Sequence, residues 1–449
     1  MEDGPRTEDE HPTERRVLIV AYYWPPAGGP GVQRWLKFAK HLPDHGWRPT
    51  LLVPDGAAYP VLDPSLETEV SADVEILRVP IFEPYEAALS LVRRKGAERL
   101  GSGNRKSGLV DRLVRWVRGN VLLPDPRVLW RRPAGRAALR HLRQAEADGQ
   151  PFKAMITTGP PHSVHLIGLD LRKATSLPWI ADFRDPWREM DYLEDFLPTA
   201  RTRRRHRQME GEVVAACDVA LMTSKGIRTS FAVHPGAEDK LQLIPNGWDE
   251  DDVPSVSANR AETGTTGGTE TWNLGHFGSV FPIRNAPGLW EGIARWNRGK
   301  GRRIHLHFYG VVNPEVRADL NQHLPDQWTD HGYVAHREAV SGMAAMDGLL
   351  ILQNRSESGR HAIPGKAFEY LALGKPMAVV TPSPSDLTDL VGEWGFPSIG
   401  YDNADAAFAL LDTLMDHPGT SESIRSAYTR RALTARLAQS LDALTAESR

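Results

Sequence analysis

Short apolar runs recur along the chain. Each ends in a turn rich in glycine, proline or polar residues, and most are followed by a stretch with apolar positions every third or fourth residue. The first run, Arg16-Val-Leu-Ile-Val-Ala-Tyr22, leads into Pro-Pro-Ala-Gly-Gly-Pro-Gly31, and Val32 to Leu42 has helical spacing. Strand, glycine turn and helix in that order open an α/β domain. Further strands are predicted at Pro49–Val53, Val74–Val79, Ala154–Thr157, Trp179–Asp182, Val219–Met222 and Leu241–Ile244. Runs this apolar suit a parallel sheet covered on both faces.

After Asn246-Gly-Trp248 comes Pro254–Glu270, rich in Ser, Thr, Gly and charge, which reads as a linker or exposed loop. The same grammar then restarts. Strands are predicted at Trp272–Phe277, Ile304–Tyr309, Gly348–Leu352 and Met377–Val380, with a helix from about Ala286 and a carboxyl-terminal segment, Asp402–Arg449, helical throughout. The expected fold class is therefore α/β, with two Rossmann-like domains whose parallel sheets face a central cleft. The expected boundaries are a tail at 1–15, a first domain at 16–248, a linker at 249–271 and a second domain at 272–420. A helix at 421–449 packs back on the first domain. In open α/β sheets ligands sit beyond the carboxyl ends of the strands.

Composition narrows the partners. The 449 residues hold 57 acidic and 54 basic side chains, a formal charge of −3, so no global field draws the chain to nucleic acid. The single cysteine, Cys217, excludes an internal disulfide and thiolate metal clusters. Residues 1–16 are charged and lack an apolar signal core, and no stretch of about eighteen uncharged apolar residues follows, which predicts a cytoplasmic protein. The region 90–120 nevertheless interleaves Arg93, Arg94, Arg112, Arg115 and Arg118 with Leu113, Trp116 and Val117, a pattern that suits either a membrane interface or packing on its own domain. A second basic cluster, Arg201–Arg207, reads as the exposed start of a long helix.

Candidate chemistry concentrates in Gly359-Arg-His-Ala-Ile-Pro-Gly-Lys-Ala-Phe-Glu-Tyr-Leu-Ala-Leu-Gly-Lys-Pro376. Pro364 suits a first helical turn and Gly374 a stop, so a helix is predicted over Pro364–Leu373. Amides near Gly365 and Lys366, with the Lys366 ammonium, suit a diphosphate, and Glu369 one turn on suits the cis-diol of a ribose. An ordinary solvated Lys–Glu pair is the alternative. Gly28 to Gly31 does not read as a dinucleotide fingerprint. Asp182-Phe-Arg-Asp-Pro-Trp187 and Thr157-Thr-Gly-Pro-Pro-His162 each follow a strand, which places their polar residues at a site edge; a helix cap or an internal ion pair is the alternative.

Taken together, Tyr23-Trp-Pro-Pro26, Asp182-Phe-Arg-Asp-Pro-Trp187 and Pro364-Gly-Lys-Ala-Phe-Glu-Tyr-Leu-Ala372 resemble a GT-B-fold retaining glycosyltransferase of the large family four type, over most of the chain from Arg16 to about Leu390. The resemblance implies transfer of a sugar from a nucleotide-diphosphate donor to a hydroxyl acceptor, with no metal. It places the donor in the second domain and a saccharide or lipid-linked acceptor in the first, and it suits cell-surface polysaccharide or glycolipid synthesis. On this basis Gly28, Gly29, Ser279, Arg284, Asn285, His361, Gly365, Lys366 and Glu369 are the expected donor contacts. Asp182, Arg184, Asp185, His162 and Arg284 are the expected catalytic groups, and Trp187 and Thr158 the acceptor contacts. Two departures stand out: His361 occupies the place of the first of two glutamates, and Ser279 that of an arginine. A sugar-nucleotide epimerase of the same architecture, or a sugar-nucleotide binder without catalysis, are the other two classes these residues allow.

Overall fold

The computed structural model describes residues 15–83, 109–188, 191–252 and 271–446. The predicted linker Pro254–Glu270 and most of the basic region, 90–108, lie outside the described residues. The chain divides into two compact units. The first comprises residues up to Met222 with Ser230–Ile244 and Thr434–Arg449, and the second comprises Pro245–Leu433 with Thr223–Thr229.

The first unit is built on seven parallel strands in the order β3-β2-β1-β4-β5-β6-β7. They are β1 (Arg15–Ala21), β2 (Trp47–Asp55), β3 (Glu75–Pro80), β4 (Phe152–Gly159), β5 (Trp179–Phe183), β6 (Val219–Met222) and β7 (Leu241–Leu243). Central strands are buried along nearly their whole length, as their uninterrupted apolar runs require. The helix after β1 spans Pro30–His41, with Pro30 at its start and Gly29 in a positive-φ conformation before it. From the carboxyl-terminal residues of the chain, Asp442 accepts from the Trp47 indole at 2.8 Å and Ser440 bonds to Gln242 at 2.7 Å.

The second unit carries six parallel strands in the order β10-β9-β8-β11-β12-β13. These are β8 (Thr271–Phe277), β9 (Arg303–Tyr309), β10 (Trp328–Gly332), β11 (Gly348–Leu352), β12 (Met377–Val380) and β13 (Ser398–Ile399). Its core joins Leu274, Leu306, Phe308, Leu350, Ile351 and Val379 on the sheet to Leu289, Trp290, Phe368 and Leu411 on the helices. Both sheets thus reverse direction of strand order beside their first strand, between β1 and β4 and between β8 and β11. Such switch points are where ligands of this fold class bind.

Two expectations about elements are corrected. The segment Asp402–Arg449 is not one helix but three, Ala404–Met415, Glu422–Ala427 and Arg430–Ala446. The first break follows from Pro418-Gly419, with Gly419 at φ 85°. The helix predicted from Pro364 begins at Lys366 and stops at Leu373, where Gly374 adopts the left-handed conformation.

At the carboxyl end of β5 a buried carboxylate ties three elements together. Asp182 is fully buried, as is Arg34, which grips it through two hydrogen bonds of 3.0 and 3.2 Å. The Trp35 indole donates to Asp182 at 2.7 Å and the Thr158 hydroxyl at 3.0 Å, while Arg34 also donates to the Ile244 carbonyl. Four donors satisfy the charge that burial would otherwise penalise. Asp182→Ala leaves the Arg34 guanidinium buried without its partner, and the expected loss is about 3–5 kcal/mol. Urea unfolding followed by tryptophan fluorescence should show the midpoint of the first unit falling accordingly; an unchanged midpoint would show that Asp182 does not hold these elements together.

Candidate functional site

In the second unit, polar groups left without partners collect where β8 ends. His276 is fully buried; its Nδ1 donates to the Leu350 carbonyl at 2.9 Å, so its Nε2 carries a lone pair with no hydrogen-bond partner. Burial and the nearby Lys366 and Arg284 hold this imidazole neutral by pushing its pKa well below the ordinary value. Gly278 follows at φ 139°, a conformation that side chains rarely adopt. A Cβ there would lie 2.3 Å from Lys366 Nζ and 3.8 Å from His276 Nε2, so only glycine leaves space for the ammonium under the turn.

Lys366 opens the helix Lys366–Leu373, and its ammonium makes no hydrogen bond among the described residues. The amides of Ala367 and Phe368 bond to the carbonyls of Pro364 and Gly365, which leaves the Gly365 and Lys366 amides at the open start of the helix. Burial, then Arg284, push the Lys366 amine down to about 8, with Glu369 opposing. Arg284 is half-buried and fixed by two bonds, to Asn354 Oδ1 at 2.6 Å and to the Ser279 carbonyl at 3.0 Å. Two cations, a glycine turn and a helix start thus converge at one switch point, an arrangement suited to a phosphate-bearing ligand. Glu369 lies half-buried one turn further along the helix.

The remaining donor-side candidates divide. Asn285 does not face a ligand: its Oδ1 accepts from the Ala286 amide and the Trp290 indole, and its Nδ2 donates to Asp319. Its side chain thus holds the chain just before the helix Pro287–Gly299 to the Trp290 indole of that helix's first turns. His361 directs Nδ1 toward Asp386 at 3.8 Å, and its carbonyl accepts from Ser224. Gly28 gives its amide to the Val61 carbonyl, whereas Gly29 is exposed with nothing near its would-be Cβ.

Of the acceptor-side candidates, all in the first unit, four are taken up by the scaffold: Asp182, Thr158, Arg184 and Trp187. Asp182 and Thr158 bond to each other inside the core and are not exposed to any ligand. Arg184 donates to the carbonyls of Gly159 (2.7 Å), Pro160 (2.9 Å) and Gly31, so it clamps the β1 and β4 loops. Trp187 is buried to 1% exposure, with one face covered by His162 at 4.7 Å between ring centres and 6° between planes. It therefore supports the His162 ring instead of offering an open face to a sugar. Asp185 makes no hydrogen bond among the described residues, and burial, with Asp182 adding and Arg184 opposing, raises its pKa above the usual carboxylate range. His276, Gly278 and Asn354 were not singled out from sequence. A histidine closing a strand just before a glycine turn was the available signal.

No family model and no curated protein matches the sequence. Solved structures do match at low identity. HepE of Anabaena, crystallised with UDP and glucose, aligns over 96% of this chain and all of its own, with a TM-score of 0.56 and 13% identity. Sucrose-phosphate synthase of Thermosynechococcus elongatus aligns over 96% and 100%, with a TM-score of 0.57 and 14% identity. A putative UDP-N-acetylglucosamine 2-epimerase of Listeria monocytogenes gives 0.53 at 10% identity over 97% of each chain. With two parallel-sheet Rossmann-like units, the chain has the GT-B fold.

The Lys366 amine supplies a pH test of the anion site. A phosphate monoester has a second pKa of about 6, so phenyl phosphate keeps a nearly constant charge over about pH 7.5–9.5 while Lys366 loses its proton. Phenyl phosphate affinity, measured by calorimetry from about pH 7.5 upward, should be highest below pH 8 and fall as pH rises past it. Lys366→Gln should bind about tenfold more weakly at pH 7.5 and show a flat profile. A wild-type profile equally flat would show that Lys366 takes no part in holding the phosphate.

Proposed function

We propose that this chain is a glycosyltransferase that moves a sugar from a nucleoside diphosphate donor to a hydroxyl acceptor with retention, in cell-surface polysaccharide or glycolipid synthesis. The observation that carries this reading is the unpaired Lys366 ammonium, set beside Arg284 under the Gly278 turn at the switch point of the second sheet. The bond between the anomeric carbon and the diphosphate oxygen breaks and a carbon–oxygen bond to the acceptor forms. The negative charge that develops on the leaving diphosphate is met by Lys366, Arg284 and the helix start, since such charge stabilisation is usually the largest catalytic contribution. The acceptor proton passes to the departing phosphate oxygen, so no protein nucleophile is needed. In this reading the two cations take the part that a divalent ion plays elsewhere, and activity should survive a chelator.

Glu369 serves the ribose in this scheme, and Ser279, His361 and Gly29 remain donor-side candidates. Asp185 is the acceptor-side acid, since it alone of the Asp182–Trp187 charges is not consumed by the scaffold. The reading that the acceptor lies at a membrane face draws its support from the helix Leu109–Asn120, which exposes Trp116 and Val117 beside Arg112. Among the described residues no helix is long and apolar enough to cross a membrane. Flotation with anionic liposomes should recover the wild-type protein and lose the Trp116→Ala, Arg112→Gln double variant; equal recovery would detach the acceptor from the bilayer.

The decisive assay incubates UDP-, GDP-, ADP- and dTDP-sugars with the protein, with and without a mixed lipid-linked acceptor pool and with a chelator arm. Acceptor-dependent release of one nucleoside diphosphate is expected. Glu369→Ala and Arg284→Ala should each lower kcat/KM about 10- to 100-fold. Conversion of donor to an isomer without acceptor would make the chain an epimerase, a class that shares this fold. Nucleotide binding without turnover would make it a silent binder.

A further inference from the structure

The first unit holds a cavity of about 770 Å³ at the carboxyl ends of β1, β4 and β5, large enough for a sugar with one or two phosphates. Its walls are of two kinds. One is apolar, with Pro124, Pro160, Leu193, Phe196 and Pro198; the other carries Arg118, Arg127, Arg188, Arg203, Arg204 and Arg207. Arg188 is neutralised by Glu210 at 2.7 Å and Arg127 by Glu83 at 3.1 Å. Arg204 and Arg207, on the helix Ala200–Ala216, are exposed and make no hydrogen bond or ion pair among the described residues. The one acid among the described lining residues, Asp125, is committed to the Ser163 amide and hydroxyl and to the Arg127 amide.

A second, independent observation comes from His162. It lines the same cavity at 5% exposure, yet among the described residues neither of its ring nitrogens has a hydrogen-bond partner. Trp187 holds its plane, and the Trp187 indole is in turn held by His206 Nδ1 at 3.0 Å. Leaving buried polar atoms unmet is costly, so a fixed imidazole of this kind marks the position of a missing partner. Neutral imidazole offers one N–H and one lone pair on diverging edges of the ring, and a sugar hydroxyl, able to donate or to accept, can meet either.

We propose that this cavity binds a phosphorylated acceptor, a saccharide carrying a phosphate or diphosphate ester, with the ester against Arg204 and Arg207 and a sugar hydroxyl on His162. The inference rests on the transferase reading for calling the ligand an acceptor, but the binding itself does not require the donor. Guanidinium groups match phosphate oxygens in pairs, and the apolar wall accommodates the carbon body of the ester. The same chemistry can reach the cavity as a soluble sugar phosphate or as the headgroup of a polyprenyl-linked sugar.

The test is calorimetric binding to the full chain in the absence of nucleotide. The probes are N-acetylglucosamine, N-acetylglucosamine 1-phosphate and a short-chain farnesyl-diphosphate-linked N-acetylglucosamine. The phosphorylated probes should bind at least about tenfold more tightly than the parent sugar, and the gap should narrow at high salt. A soluble source is indicated if the two phosphorylated probes bind equally, and a lipid source if the farnesyl ester binds more tightly. Arg204→Gln with Arg207→Gln should erase the preference for phosphate, and the Lys pair should restore part of it. These side chains are exposed, so the variants should fold; an unchanged thermal midpoint verifies this. His162→Ala should weaken all three probes by a similar factor. Equal binding of parent and phosphorylated sugars, or a phosphate preference that survives the double variant, overturns the proposal. If phosphate esters bind as expected while no nucleoside diphosphate sugar is turned over, the transferase reading fails and this site stands.

Discussion

The carboxylate of Asp182 is the constraint on which the first unit's functional end depends. Four hydrogen-bond donors from Arg34, Trp35 and Thr158 meet it in a region closed to water, and removing any one leaves a desolvated group unmatched. Since Arg34 and Trp35 lie on the helix after β1 and Thr158 on β4, the hub sets the spacing of the switch point itself. Arg184 extends the same logic outward by clamping the carbonyls of Gly31, Gly159 and Pro160. His162 and Trp187 hang from the loops so fixed. The cavity therefore has rigid walls on its β4 and β5 side, where preorganisation has the greatest effect on binding.

The second unit uses the equivalent place differently. Its strand order is the same, with β8 and β11 standing where β1 and β4 stand, yet its polar groups are not all consumed. Among the described residues His276 spends one nitrogen on the Leu350 carbonyl and keeps the other bare, and Lys366 holds a charge under a glycine turn that Glu369 offsets in part. Partner accounting separates scaffold from site in both units. The side-chain oxygens of Asn285 and Asp182 all meet donors within the protein, so both residues belong to the scaffold. Among the described residues Lys366, His162 and Asp185 have no such partners, and the ligands proposed above are assigned to them.

The same accounting explains what the sequence made legible. Apolar runs of four or more residues located Val219–Met222, Gly348–Leu352 and Met377–Val380 to the residue, because a strand buried on both faces tolerates no polar interruption. Trp328–Gly332 was missed for the converse reason: Trp-Thr-Asp-His-Gly at the sheet edge is half-exposed along its length and carries no apolar run. The helix with Lys366 and Glu369 was visible through Pro364 and Gly374, whose backbone preferences are local. The roles of Asp182, Thr158 and Asn285 were misread because a polar residue after a strand looks the same whether it meets a ligand or a buried arginine. Likewise Arg201–Arg207 reads as a solvated helix start, and only the tertiary fold turns Arg203, Arg204 and Arg207 toward one cavity.

Net charge conceals this arrangement. A chain with a formal charge of −3 exerts no long-range pull on anions, yet it holds cations at two separate strand-end sites, one in each unit. At physiological ionic strength the Debye length is about 8 Å, so a distant surplus of acids barely weakens a guanidinium or ammonium set in a partly dry pocket. Local placement is the only economical way to bind anionic groups on an acidic protein, and it makes recognition short-ranged and geometric. Anions would be selected by whether their oxygens fit the Gly278 turn or the Arg204–Arg207 wall, not by how strongly the whole surface attracts them.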